Sequence, residues 1–390
     1  MSRRLLAIGG VLLVVLVACD PGSPEAAPFQ GNWQSEAWGT YLSVSGGSVE
    51  IFEYSAAHCF SVASGGARGI TDVLSLDGET LVLADAGRMI RFDRIEFLPE
   101  RCIEPVADDP TSTFNVVVAT MEEHHLPGVD GEWAARVEKL RPSAAVSDEA
   151  LFAAINALLQ PLDRPDVRLA AGAETWVAAE TDPIQFPDAL VSGRGGILTG
   201  SVGEEIAYLG FRRLGELADD FEGSQRAAAD AIDSAVTSAD SLVLDLRGSD
   251  GGSIDHAMLV ASRIIPTEGV VAVLSAFGPD GLVSAGEVIV RPLPTRTFEG
   301  EVAVLVGPGT VGVAELLVVA LSGVEGVTIV GEPTAGSPGP GMVRILPNGW
   351  AVGLANILVT TPTGEELLEG IVPDVLTDDP LEIALEILSD

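Results

Sequence analysis

Leu242-Val243-Leu244-Asp245-Leu246-Arg247-Gly248-Ser249-Asp250-Gly251-Gly252 is the stretch on which the reading of this chain turns. Leu242 to Leu246 reads as a near-continuous apolar strand, the pattern of a strand covered on both faces. The two glycines that follow let the backbone turn sharply and approach a ligand closely, and free N–H groups at Gly251 and Gly252 are suited to stabilising an oxyanion. Upstream, Ile206 to Phe211 reads as a strand and Ser224 to Val236 as an Ala-rich helix. Downstream, Val302 to Val306, Val313 to Leu321 and Val327 to Val330 repeat strand, helix, strand. This alternation predicts an α/β fold, a mainly parallel sheet core with helices. Sites in such layers form where loops leave the carboxyl ends of strands.

Two different patterns precede this core. Residues 29–104 carry short β-prone runs (Tyr41, Val44, Val49, Ile51, Phe52, Tyr54) separated by Gly46-Gly47 and Asp77-Gly78 turn signals, which predicts a small N-terminal antiparallel β domain. Trp33 and Trp38 are assigned to its core rather than to a ligand platform. Residues 111–175 read as a small helical domain, clearest after Ser147, a good N-cap, where Leu151, Ile155, Leu158 and Leu159 fall on one face. Glu122-Glu123-His124-His125 invites a metal reading. Adjacent helical residues point about 100° apart and no third ligand is evident, so this cluster is expected to be a solvated helix face. Neither a metal nor a cofactor is expected.

The composition bounds partners and compartment. With 57 acidic against 21 basic side chains, the net charge of −36 over 390 residues excludes a nucleic-acid partner held by basic patches. Arg3 and Arg4 precede an apolar run from Leu5 to Ala18, too short for a comfortable membrane span but suited to a signal peptide over residues 1–18. Leu16-Val17-Ala18-Cys19 resembles a bacterial lipoprotein processing box, which makes Cys19 the lipidation site and residues 19–28 a tether. The chain is therefore expected outside the cytoplasm, lipid-anchored to a bacterial membrane on its periplasmic side or at the cell surface. With Cys19 so used, Cys59 and Cys102 remain as a disulfide pair in an oxidising compartment.

The Leu244 to Gly252 stretch is similar to the Asp-Leu-Arg-x-Asn-x-Gly-Gly signature of the tail-specific, or C-terminal-processing, serine peptidases and their tricorn-core relatives, with Ser249 in place of the asparagine. Further pieces follow the family's order: Ile206-Ala207-Tyr208-Leu209, Gly331-Glu332-Pro333-Thr334-Ala335-Gly336 and Gly370-Ile371-Val372-Pro373-Asp374. The resemblance implies a crotonase-like core over residues 197–390, serine-type proteolysis, and an oxyanion role for the Gly251-Gly252 loop.

The chemical positions depart from that family. Its serine stands three residues before a glutamate at a helix start, where this chain reads Thr310-Val311-Gly312-Val313-Ala314-Glu315, so that Gly312 holds the serine position. Ser337 stands where the Ser-Lys branch carries lysine, Asp166 where the Ser-His-Glu branch carries histidine, and Leu367 where the terminal glutamate is expected, with Glu366 and Glu369 beside it. The chain's one lysine, Lys139, lies in the helical part. The resulting expectation is a degenerate, inactive peptidase copy that binds extended peptides or unfolded protein segments. Two alternatives stand beside it. One is an active serine peptidase with a relocated nucleophile, Ser253 with His256 three positions on. The other is a structural envelope protein.

Overall fold

Every apolar residue of strands Thr40–Ser45 and Ser48–Tyr54 is buried, whereas Ser43, Ser45, Ser48 and Glu50 are not, so β-prone runs are covered where they are apolar. The computed structural model describes residues 24–389 apart from 36, 56–57, 67–73, 86–87, 103–106, 127, 173, 178–190, 193–196, 203–205, 216–220, 238 and 293–297. The signal-peptide and lipidation expectations, Cys19 included, lie outside the described residues. No described helix is long and apolar enough to cross a membrane.

The chain divides into two compact units. The first comprises residues 1–179 with 275–286 and 341–357, and the second comprises 180–274, 287–340 and 358–390. In the first, a seven-stranded sheet runs in the order Cys59–Gly66, Ser48–Tyr54, Thr40–Ser45, Gly31–Ser35, Arg88–Ile95, Thr80–Asp85, Leu74–Asp77. Every pairing in it is antiparallel. Trp33 and Trp38 are buried in this unit, and the Trp33 indole donates to the Phe29 carbonyl at 2.8 Å. A disulfide joins Cys59 to Cys102 beside the stacked rings of Tyr41 and Tyr54.

Three helices follow: Pro110–His124, Trp133–Leu140 and Asp148–Leu159. Ser147 caps the third by accepting from the Ala150 N–H, and Leu151, Ile155, Leu158 and Leu159 are all buried. A four-stranded antiparallel sheet completes the unit, ordered Met342–Ile345, Ala351–Leu354, Arg168–Ala171, Glu174–Val177. The expected solvated face at His124 and His125 is corrected here. Both rings are buried, at 0% and 1% exposure. The helix that carries His124 buries Phe114 and every residue from Val116 to Met121 apart from what its ends expose, so its last turn enters the interior rather than water. His125 lies just past that helix, with Nδ1 2.8 Å from the Gly128 carbonyl. Among the described residues, no group of three or more ligating side chains is placed to hold a metal.

The second unit is built on a mixed seven-stranded sheet in the order Val191–Ser192, Ile197–Val202, Ile206–Phe211, Ser241–Asp245, Glu301–Val306, Val327–Gly331, Val375–Leu376. The two pairings at the Val191 edge are antiparallel and the other four are parallel. Leu242, Val243 and Leu244 in the middle strand are fully buried, as the apolar run predicts, and each such side chain contributes about 1.5–3 kcal/mol. Helices Phe221–Thr237, Ile254–Ala261, Val313–Leu321 and Pro380–Ile387 alternate with the strands. Because neighbouring strands run the same way, the loops that leave Asp245, Val306 and Gly331 emerge at one end of the sheet.

Candidate active site

The loop after Glu301–Val306 delivers the chain to helix Val313–Leu321 through Gly312, whose φ of 66° and ψ of −125° form a tight turn that side-chain-bearing residues avoid. Such a turn presents its residue at a helix N-terminus, where partial positive charge favours a nucleophile or an anion. A Cβ built on Gly312 meets only the Gly339 carbonyl at 3.2 Å and the Gly251 Cα at 3.7 Å. The two turns are thus in contact, and the Ser249 carbonyl reinforces them by accepting from the Val311 N–H at 3.0 Å.

Gly251 and Gly252 have φ values of 99° and 134°, and a Cβ on Gly252 would lie 2.1 Å from the Leu214 carbonyl oxygen. Only glycine fits there. On one side the loop is paired: Leu214 N–H donates to the Gly251 carbonyl at 2.8 Å, and Ser253 N–H to the Leu214 carbonyl at 2.7 Å. Among the described residues, no acceptor engages the N–H of Gly251 or of Gly252.

Glu315 organises the surroundings. Its carboxyl is fully buried and accepts from the Gly312 N–H (3.0 Å), the Thr334 hydroxyl (2.6 Å), the Gly336 N–H (2.7 Å) and the Ser337 N–H (2.9 Å). The Gly312 contact is one half of a capping box, since glycine has no side chain to complete the other. Burial pushes the carboxyl up to about 7, with the four hydrogen bonds acting in the opposite sense. Thr334 extends the network by accepting from the Ile371 N–H at 2.8 Å, which brings the Gly370 to Asp374 segment in. Asp374 in turn accepts from the Ile329 N–H at 2.8 Å. All four sequence pieces that carry the resemblance therefore belong to one hydrogen-bonded assembly. In the fourth, the buried Asp245 accepts from the Tyr208 hydroxyl and pairs with Arg247, Nη2 to Oδ2 at 2.6 Å. Arg247 orders this loop, and burial next to the Asp245 carboxylate raises the Tyr208 phenol above its ordinary range.

The structure brings Gly312, Gly251, Gly252 and Ser337 together in the second unit. Ser337 is held there by its own N–H on Glu315. Leu367 donates its N–H to the Val359 carbonyl at 3.0 Å beside the antiparallel bridge between Thr360 and Glu366, and the side chains of Glu366 and Glu369 are exposed. Asp166 belongs to the first unit, where it pairs with Arg164 at 3.0 Å and accepts from the Ala355 N–H. Ser253 caps helix Ile254–Ala261, its hydroxyl accepting from the Asp255 N–H, and His256 on that helix is buried at 2% exposure. Thr310 uses its hydroxyl within the turn, donating to the Leu246 carbonyl and accepting from the Gly307 N–H. Sequence reasoning missed the convergence of donors on Glu315. The available signal was its place three residues after a helix-starting glycine.

Comparison with known proteins agrees with this assembly. Residues 205–377 match the family described as peptidase family S41. A carboxyl-terminal-processing protease from Synechocystis is 29% identical over 157 residues, which cover 39% of this chain and 34% of that protein. The chain thus spans about a third of the length of the curated relative it matches. Among solved structures, a candidate peptidase from Parabacteroides merdae superposes with a TM-score of 0.58 at 17% identity, covering 73% of this chain and 98% of the other. A lipoprotein from Streptococcus agalactiae gives 0.50 at 14% identity, covering 76% and 99%. At these identities the two structures speak for the fold alone. Residues 205–377, which hold the Gly251-Gly252 loop, the Gly312 turn and Glu315, are thus the part of the chain that is similar to peptidase family S41.

Proposed function

We propose that the protein is a lipid-anchored, extracytoplasmic member of the family that holds extended peptides without cleaving them efficiently. One observation carries this reading: the residue at the turn where a nucleophile belongs, Gly312, has no side chain. Removing the nucleophile from a triad enzyme costs several orders of magnitude in rate, and an intact oxyanion loop retains only a small residual acceleration. The unengaged N–H groups of Gly251 and Gly252 support backbone pairing with an extended segment. In this reading the second unit is a crotonase-like core, Gly251 and Gly252 are the remnant of an oxyanion loop, and Cys19 carries the lipid.

The test is covalent labelling of the purified full chain with a fluorophosphonate, together with titration of fluorescent unstructured peptides. The expected result is no labelling, saturable binding, and peptide recovered intact by mass spectrometry. Labelling abolished by Ser253→Ala or His256→Gln overturns the reading in favour of a relocated nucleophile. Absence of saturable binding overturns it in favour of a structural envelope protein. Incorporation of labelled palmitate, lost in Cys19→Ala, tests the anchor.

A further inference from the structure

All four histidines of the chain are buried, and two of them share a cluster in the first unit with a buried arginine. Arg344 on strand Met342–Ile345 is 2% exposed and donates to the carbonyls of Gly39 and Trp38 at 3.1 Å each. A Cβ placed on Gly39 would lie 2.7 Å from Arg344 Nη2 and 2.9 Å from His124 Nε2. The guanidinium and that imidazole are therefore no more than about 5.6 Å apart. His58 joins them from beyond strand Ser48–Tyr54, with Nδ1 2.5 Å from the Ser55 hydroxyl and the residue 5% exposed.

We propose that His58, His124 and Arg344 form an acid-sensitive latch in the first unit, closed while both imidazoles are neutral and sprung when they take up protons beside the guanidinium. Closed, the cluster joins segments from three distant parts of the sequence: Ser55 and His58, the end of helix Pro110–His124, and strand Met342–Ile345. Protonation sets two further positive charges near Arg344 in an interior with little water to screen them. Among the described residues, the charged groups facing the cluster are few. Glu53 lies 3.8 Å from Arg344 Nη1, Glu123 lies 4.0 Å from His124 Nε2, and Arg101 adds positive charge near His58. The backbone at Ala37 and Phe277 completes the surroundings of His124.

Burial first, and then Arg344, lower both His58 and His124 to about 3 from the ordinary 6.5. Groups depressed in this way bind fewer protons in the folded state, so their contribution is complete above pH 6.5 and is lost as pH falls from 6.5 toward 3. Glu53 acts in the opposite sense, because burial raises it to about 7 and its contribution is lost as pH rises through that value. Two histidines with the wider window outweigh one acid, and acidification below 6.5 opens the unit.

All five tryptophans, Trp33, Trp38, Trp133, Trp176 and Trp350, lie in the first unit, so their emission reports it selectively. The experiment is urea unfolding of the full chain followed by tryptophan fluorescence at pH 7.5, 6.5, 5.5 and 4.5, for the parent, His58→Gln and His124→Leu. The parent's midpoint is expected to fall steadily below pH 6.5, and each variant to remove about one proton from the uptake that accompanies unfolding near pH 5. A parent midpoint that is flat or rises over this range overturns the proposal without recourse to any variant. So do variants that fold and keep the parent's full pH slope. The readout needs no peptide and is independent of whether the second unit binds one.

Discussion

Among the described residues two glutamates are buried, one in each unit, and they are stabilised by different means. Glu53 in the first unit faces a guanidinium, Arg344, at 3.8 Å, and takes one backbone donor, the Ile345 N–H at 3.0 Å. Glu315 in the second unit takes three backbone N–H groups and one hydroxyl. Burial pushes both carboxyls up to about 7. The lesson lies in what each arrangement constrains. A charge partner fixes distance but tolerates rotation, whereas four directional donors fix the backbone of every segment that supplies one. The second device therefore shapes a site, and the first joins distant segments into a core.

The largest expected effect tests the first of these. Arg344→Met leaves Glu53 without its counter-charge and the Gly39 and Trp38 carbonyls without their donors, and should lower stability by about 3–5 kcal/mol in urea unfolding followed by tryptophan fluorescence. A loss below about 1 kcal/mol would show that the ion pair contributes nothing net. Glu315→Gln keeps shape but turns an amide N–H₂ toward donors, at a cost of about 2–3 kcal/mol. Hydrogen exchange should then rise at residues 312 and 334–337 while strand Ser241–Asp245 stays protected; uniform protection across both would break the comparison.

Gly312→Ser probes the turn itself. Placing a side chain at φ 66° should cost about 1–3 kcal/mol, read from far-UV circular dichroism melts, and should not confer fluorophosphonate labelling. The smallest effect belongs to Thr334→Val. It deletes one of the four donors on Glu315 and the acceptor of Ile371, for about 1 kcal/mol, with exchange rising first at Ile371.

The second unit was more legible in the sequence than the first. Strand Ile206–Phe211 and helix Val313–Leu321 coincide with the runs read from apolar pattern, because a strand or helix covered on its faces declares itself locally. The glycines at 251, 252 and 312 were readable for the same reason, since each marks a backbone shape that other residues resist. The donors on Glu315 were not readable, for Thr334, Gly336 and Ser337 lie 19 to 22 positions away and contribute mainly backbone. In the first unit, residues 275–286 and 341–357 return from far along the chain, and it is Arg344 from the second of these that surrounds His124 with protein. Helical spacing alone placed that histidine in water, because periodicity records a face and not what later covers it.

The turn at Gly312 also limits which residues the position can accept. A glycine there relaxes a backbone that any other residue holds under tension, so a side chain entering this turn must be offset by stabilising contacts elsewhere in the fold.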